Sequence, residues 1–124
     1  DKLLAEADVV TLHPRVTAET TRMINAETLG AMKPDATLIN TARGPLVDYD
    51  ALTDALANNR LRGAMLETFA IEPVPEDWPL LKLPNVTLTP HIAGASVRTV
   101  TFAADRVAEE VRRFLDGEPL RNLC

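Results

Sequence analysis

Three observations predict an α/β fold built on an open parallel sheet with flanking helices. Four short apolar runs alternate with helical patterns or long connections, as crossover-connected parallel strands do. Each run is bounded by Pro, Gly, Asn or Asp and is rich in β-branched residues. Just past three of them the chain carries an arginine, a carboxylate and a histidine, at the edge where open parallel sheets bind ligands.

The chain opens on a helical pattern over residues 1–7 and then enters the first run, Val9-Val10-Thr11-Leu12. A helix is expected over residues 25–33, with Leu29 and Met32 on one side and Pro34 closing it, because proline cannot continue a helix. The second run is Ala36-Thr37-Leu38-Ile39. Residues 49–59 put Leu52, Ala55 and Leu56 at helical spacing, with Asp48 as N-cap and Gly63 beyond the end. The third and fourth runs are Gly63-Ala64-Met65-Leu66 and Val86-Thr87-Leu88-Thr89. Near-continuous apolar character reads as strands buried on both faces. The stretch from Trp78 to Leu83 lies among Pro75, Pro79 and Pro84 and reads as an irregular loop with one helical turn, Trp78 anchoring it on the sheet edge. The last helix is the clearest: Ser96 caps it, Val100, Ala104, Val107, Val111 and Phe114 form one stripe, and Gly117 ends it. Arg106, Arg112 and Arg113 read as part of its solvated face.

At 124 residues, 46% hydrophobic and 25% charged, the chain has the size and composition of one globular domain. A net charge of −5 argues against a nucleic-acid surface, and no apolar run approaches the roughly 20 residues of a membrane span. The single cysteine, Cys124, leaves no intrachain disulfide or cysteine metal site, and no signal peptide is expected. The expected location is the cytoplasm. Because the sequence begins on Asp1, inside a helical pattern, a piece of a longer protein is expected.

Arg43 follows Ile39-Asn40-Thr41-Ala42, and Gly44-Pro45 then turns the chain. A guanidinium there can grip a carboxylate with two parallel hydrogen bonds, or simply pair with Asp48 or Glu67. His91 leaves the fourth strand after Pro90, placed to exchange a proton near neutral pH or to cap the following helix. Glu72 would hold an imidazole protonated and oriented if close to it, and is otherwise a solvated loop residue. Glu67 ends the third strand and suits a ligand hydrogen bond or a salt bridge. His13 reads as structural. Histidines without H-x-H or H-E-x-x-H spacing argue against a metal-dependent hydrolase. Gly94-Ala95-Ser96-Val97-Arg98 lacks the last glycine of a nucleophile elbow.

Taken together, four segments resemble the D-isomer-specific 2-hydroxyacid dehydrogenases. Residues 7–13 are similar to the strand leading into that family's "LHxPLT" turn. Met32-Lys33-Pro34 with Leu38-Ile39-Asn40-Thr41-Ala42-Arg43-Gly44 is similar to "MKPGA-LINxARG", Glu72-Pro73 to the end of "DVFxxEP", and residues 85–94 to "NVxLTPHIGG". The resemblance implies a Rossmann-like dinucleotide-binding domain, with residues 1–95 as its C-terminal half and residues 96–124 as a helix and tail leading back to a substrate domain. It implies NAD or NADP as cofactor, a small 2-keto or 2-hydroxy acid as substrate, and a homodimer. It also implies a catalytic trio: His91 as acid/base, Glu72 holding it protonated, and Arg43 binding the substrate carboxylate. Thr17, Thr41, Ala42, Arg43, Glu67, His91, Ala93 and Gly94 would line the nicotinamide side. Three positions depart from the pattern: Glu67 stands for the usual aspartate, Ala93 for the second turn glycine, and Pro14 lies one place early, with Arg15 in its usual position. No G-x-G-x-x-G occurs. The isolated chain is therefore expected to be inactive. A non-enzymatic corepressor of the same fold is the alternative reading.

Overall fold

A computed structural model describes residues 2–121. They form two compact units, one through His91 and one from Ile92 onward.

The first unit holds a four-stranded parallel sheet in the order β1-β2-β3-β4, with β1 at Val9–Leu12, β2 at Thr37–Asn40, β3 at Gly63–Leu66 and β4 at Val86–Leu88. Helix α1, Lys2–Glu6, precedes β1. The crossovers carry α2 at Ala26–Gly30, a 3₁₀ turn at Gly44–Leu46 followed by α3 at Tyr49–Ala57, and a second 3₁₀ turn at Pro79–Lys82. The register stacks Leu12, Asn40, Leu66 and Leu88 in one row across all four strands. Because the strands run parallel and in step, their C-terminal ends share one edge, which releases His13, Thr41, Glu67 and Thr89.

Local chemistry fixes the helices on one face. Asn25 caps α2: its Oδ1 accepts from the Glu27 and Thr28 amides at 3.0 and 3.1 Å, and Thr28 Oγ1 accepts from the Asn25 amide in return. The helix is shorter than the expected 25–33: the chain leaves it at Ala31 and turns through Met32, whose amide bonds the Leu29 carbonyl. Gly30 and Pro34 are poor helix continuers. Asp48 caps α3 by accepting from the Ala51 amide, and Leu52, Ala55 and Leu56 are buried. With Leu29, Met32, Leu38, Leu46, Leu61, Leu66 and Leu80 they belong to a single apolar core.

The expectation of strands buried on both faces is corrected. In β1 burial alternates: Val10 and Leu12 are buried, whereas Val9 is 54% exposed, and Met65 in β3 is 43% exposed. Among the described residues, α2 and α3 contribute to the core on one face only, so the period of two reappears. Bounds also shift by one residue: β2 begins at Thr37 and takes in Asn40, and β4 stops at Leu88.

The second unit contains α4, Val97–Leu115, capped by Ser96 Oγ accepting from the Thr99 amide and closed before Gly117 at φ 68°. Its apolar stripe is exposed, including Val100, Val107, Val111 and Phe114. Arg113 departs from the solvated face expected of it: its side chain is 11% exposed, pairs with Glu118 and donates from Nε to the Pro119 carbonyl. Arg112 pairs with Asp116, and Arg106 pairs with Glu109 and stacks over Phe102. No helix of the described residues is long and apolar enough to cross a membrane.

Candidate active site at the C-terminal edge of the sheet

Each candidate side chain reaches the edge because a strand ends beneath it. Past β2 the chain turns through Thr41 and Ala42 to Arg43, and the turn is stapled from below by Asn40. That fully buried side chain donates from Nδ2 to the Arg43 carbonyl at 3.0 Å and accepts from the Ala42 amide at 3.1 Å. Arg43 itself is exposed, with one guanidinium nitrogen bonded to the Ala42 carbonyl. Asp48, one of the partners considered for it, is engaged instead by Arg22 and by the α3 cap.

Past β3, Glu67 and Thr68 are buried and the chain rises through Phe69 to Glu72. One Glu72 oxygen accepts from the Phe69 amide at 2.8 Å; the other lies 2.8 Å from His91 Nδ1. An ionised carboxylate only accepts, so this contact places the proton on Nδ1 and leaves Nε2 for other chemistry. Hydrogen bonding to His91, then to the Phe69 amide, holds the Glu72 carboxyl below its ordinary value, against a smaller opposing effect of burial; the charges of His91 and Arg43 add to the lowering.

His91 sits at φ 52°, a left-handed conformation uncommon outside glycine. Its amide is held by the Glu67 carbonyl at 3.1 Å and the Thr89 carbonyl at 3.0 Å. Those bonds maintain a backbone turn that brings the ring back toward Glu72. Residues that persist in such regions are held there by their surroundings, often at functional sites.

Two hollows flank this edge. A cleft of about 450 Å³ lies between residues 13–16 and residues 41–43, with Arg43 on its wall. A smaller one of about 210 Å³ is lined by Phe69, Glu72, Pro73, Val74, Pro90 and His91. Of the other candidates, Thr41 and Ala42 form part of the larger cleft. Thr17 turns to its own loop, donating to Glu19 and bonding Thr20. Ala93 and Gly94 are exposed and belong to the second unit. His13 bonds Thr11 through Nε2, as a structural histidine would, yet also lines the larger cleft.

Over residues 1–93 the chain matches the family described as "D-isomer specific 2-hydroxyacid dehydrogenase, NAD binding domain". It belongs to that family. A glyoxylate reductase of Korarchaeum cryptofilum is 49% identical over 123 residues, covering 99% of this chain and 37% of the relative. Among solved structures, the TT0316 protein of Thermus thermophilus superposes with a TM-score of 0.89 at 46% identity, covering 98% of this chain and 39% of that one. A D-isomer specific 2-hydroxyacid dehydrogenase from Xanthobacter autotrophicus Py2, solved with NADPH and MES, does so at 0.86 and 39% identity, covering 98% and 49%. The chain thus spans less than half the length of these relatives. The parallel sheet with flanking helices is the Rossmann-type fold shared with these dehydrogenases.

Sequence reasoning misses four residues that shape this edge of the dehydrogenase domain. Asn40 and Gly44 fall inside the "LINxARG"-like segment, but their work is geometric. A Cβ on Gly44 would run into the Phe69 carbonyl group and the Ala70 nitrogen, so the Arg43 turn and the Phe69–Glu72 loop touch backbone to backbone there. Tyr49 donates from its hydroxyl to the Thr68 carbonyl at 2.6 Å. The Thr68 hydroxyl is buried without a hydrogen-bond partner. Tyr49 is visible in sequence only as the first residue of a helix, with no spacing rule to link it to Thr68.

Proposed function

We propose that the chain is the catalytic-edge half of the dinucleotide-binding domain of an NAD- or NADP-dependent D-2-hydroxyacid dehydrogenase or 2-keto acid reductase. In this reading residues 1–95 complete that domain and residues 96–124 lead back to a substrate domain. The observation that carries it is the 2.8 Å contact between Glu72 Oε2 and His91 Nδ1, at the C-terminal edge of a parallel sheet whose second strand leads into Arg43. The name of the Korarchaeum relative, glyoxylate reductase, points to the same class of reaction.

In the reductive direction His91 donates the proton on Nε2 to the keto oxygen while hydride reaches the carbonyl carbon, so a 2-keto acid becomes a 2-hydroxy acid. A nicotinamide bound at this edge supplies that hydride. Glu72 favours the protonated imidazole and fixes its tautomer through Nδ1. Arg43 grips the substrate carboxylate and polarises the neighbouring carbonyl. The larger cleft beside Thr41, Ala42 and Arg43 would take the nicotinamide end of the cofactor, and Glu67 at the end of β3 would hydrogen-bond its carboxamide. Thr17, Ala93 and Gly94 remain proposed contacts on the same side. The chain has no glycine-rich turn for the pyrophosphate, so by itself it should turn over little. The family reading further implies a cytoplasmic homodimer acting on a small molecule.

The test is NADH or NADPH oxidation by the full-length gene product with glyoxylate or hydroxypyruvate. His91→Ala should lower kcat by about 10²–10⁴, the usual contribution of a positioned acid. Arg43→Ala should raise KM and lower kcat together. Turnover that survives both changes would reject the roles given to His91 and Arg43, and no turnover in the unchanged gene product would favour the corepressor reading.

A further inference from the structure

We infer that Tyr49 is a positioning residue for the proton-transfer pair: its hydroxyl ties the base of the Glu72 loop to α3 and so sets where Glu72 meets His91. This deepens the reading above and rests on it.

The path is continuous and each link is short. Tyr49 is the first residue of α3, directly after the Asp48 cap, so its backbone is fixed by a rigid element. Its ring is buried between Phe69 and Trp78, with centroids 6.4 and 5.1 Å away. Its hydroxyl donates to the Thr68 carbonyl at 2.6 Å. The next amide along the chain, that of Phe69, donates to Glu72 Oε1 at 2.8 Å, and Glu72 Oε2 meets His91 Nδ1. A peptide plane is rigid, so anchoring the Thr68 carbonyl also aims the Phe69 amide on the other side of that plane.

Burial pushes the phenol up to about 12, partly offset by Asn40 and reinforced by the charge of Glu72. The hydroxyl remains a donor across the working pH range. The charged groups that bear on Glu72 are His91 and Arg43. Tyr49→Phe changes neither charge, so any effect on Glu72 must come through geometry.

The experiment follows the Glu72 side-chain carboxyl by ¹³C NMR through a pH titration of the full-length gene product, in wild type, Tyr49→Phe, His91→Ala and Trp78→Leu. His91→Ala removes the largest influence on Glu72 and should move its midpoint up toward the ordinary carboxylate range. Tyr49→Phe should move it in the same direction by about 0.5 pH unit, a shift within the usual spread for carboxylates. Trp78→Leu loosens the same aromatic cluster without touching the hydroxyl and should leave the midpoint in place. In the full-length gene product Tyr49→Phe should lower kcat several-fold with little change in KM. An unmoved midpoint in Tyr49→Phe, or an equal shift in Trp78→Leu, would make Tyr49 a packing residue only and overturn the inference. An unmoved midpoint in His91→Ala would instead remove the Glu72–His91 pair itself, and the inference with it.

Discussion

Arg43, Glu72 and His91 each follow the end of a strand at short distance, and the parallel register brings those strand ends to one edge. Tyr49 reaches the same edge from α3, and no spacing in the sequence reveals it, because its partner, the Thr68 carbonyl 19 residues on, is brought to it by the tertiary path. The electrostatics of the site make a pH prediction. The Glu72 carboxyl is depressed in the folded chain, first by its hydrogen bond to His91. A depressed acid contributes stability above its unfolded-state value and loses it as pH falls through the folded value. The stability difference between wild type and Glu72→Gln should therefore shrink as pH is lowered past the ordinary glutamate range, read from urea midpoints at successive pH values. Thr68 offers a second test. Its hydroxyl is buried and unpartnered, so Thr68→Val keeps the shape and removes an unsatisfied polar group. The change should raise stability by about 1 kcal/mol in the same assay. Gly44→Ala should do the reverse: its new Cβ collides with the Phe69–Ala70 backbone, which cannot yield as a flexible side-chain end would. A loss of about 1–3 kcal/mol is expected, as for other overpacked sites.

At the scale of elements, strand positions follow from composition, whereas strand burial depends on what lies across each face. Val9 and Met65 are apolar in sequence and exposed in the described structure, since an apolar run does not record which face of the strand is covered. Helix α2 ends early because Gly30 weakens it before Pro34 can stop it. Helix α3 follows its pattern closely, since the Asp48 cap and the Leu52, Ala55, Leu56 spacing agree on one register. That agreement makes the cap a lever on the site. Asp48→Ala should cost about 1 kcal/mol, the usual value of a lost N-cap. It should also disturb Tyr49 at the next position, so the Thr68 and Phe69 amide resonances should shift more than those at the far end of α3. Equal shifts along the helix would mean that the cap stabilises α3 without fixing its first turn.

Across the whole sheet, the core and the support of the candidate site draw on the same row of residues. Leu12, Asn40, Leu66 and Leu88 lie side by side at the C-terminal edge, and three of the four are apolar. One polar side chain interrupts the row, and it is the one whose amide holds the Arg43 turn. A buried polar group is tolerable when its hydrogen bonds are made, and Asn40 makes bonds to both the carbonyl and the amide of that turn. Two residues back along the strands, on the same face, Val10 of the edge strand β1 and Leu38 and Ala64 of the central strands β2 and β3 pack as plain core. The two rows should therefore respond differently to truncation. Leu38→Ala removes a fully buried side chain from a central strand and should cost about 2–5 kcal/mol. Val9→Ala, on the exposed face of β1, should stay within about 1 kcal/mol. Hydrogen exchange gives the complementary measurement. Amides of β2 and β3, paired to strands on both sides, should exchange last, and those of β1 and β4 earlier. Asn40→Ala should speed exchange at Ala42 far more than at Leu38, because it frees the turn and leaves the strand ladder intact. Uniform acceleration along β2 would mean that Asn40 holds the sheet itself, and the arginine only through it.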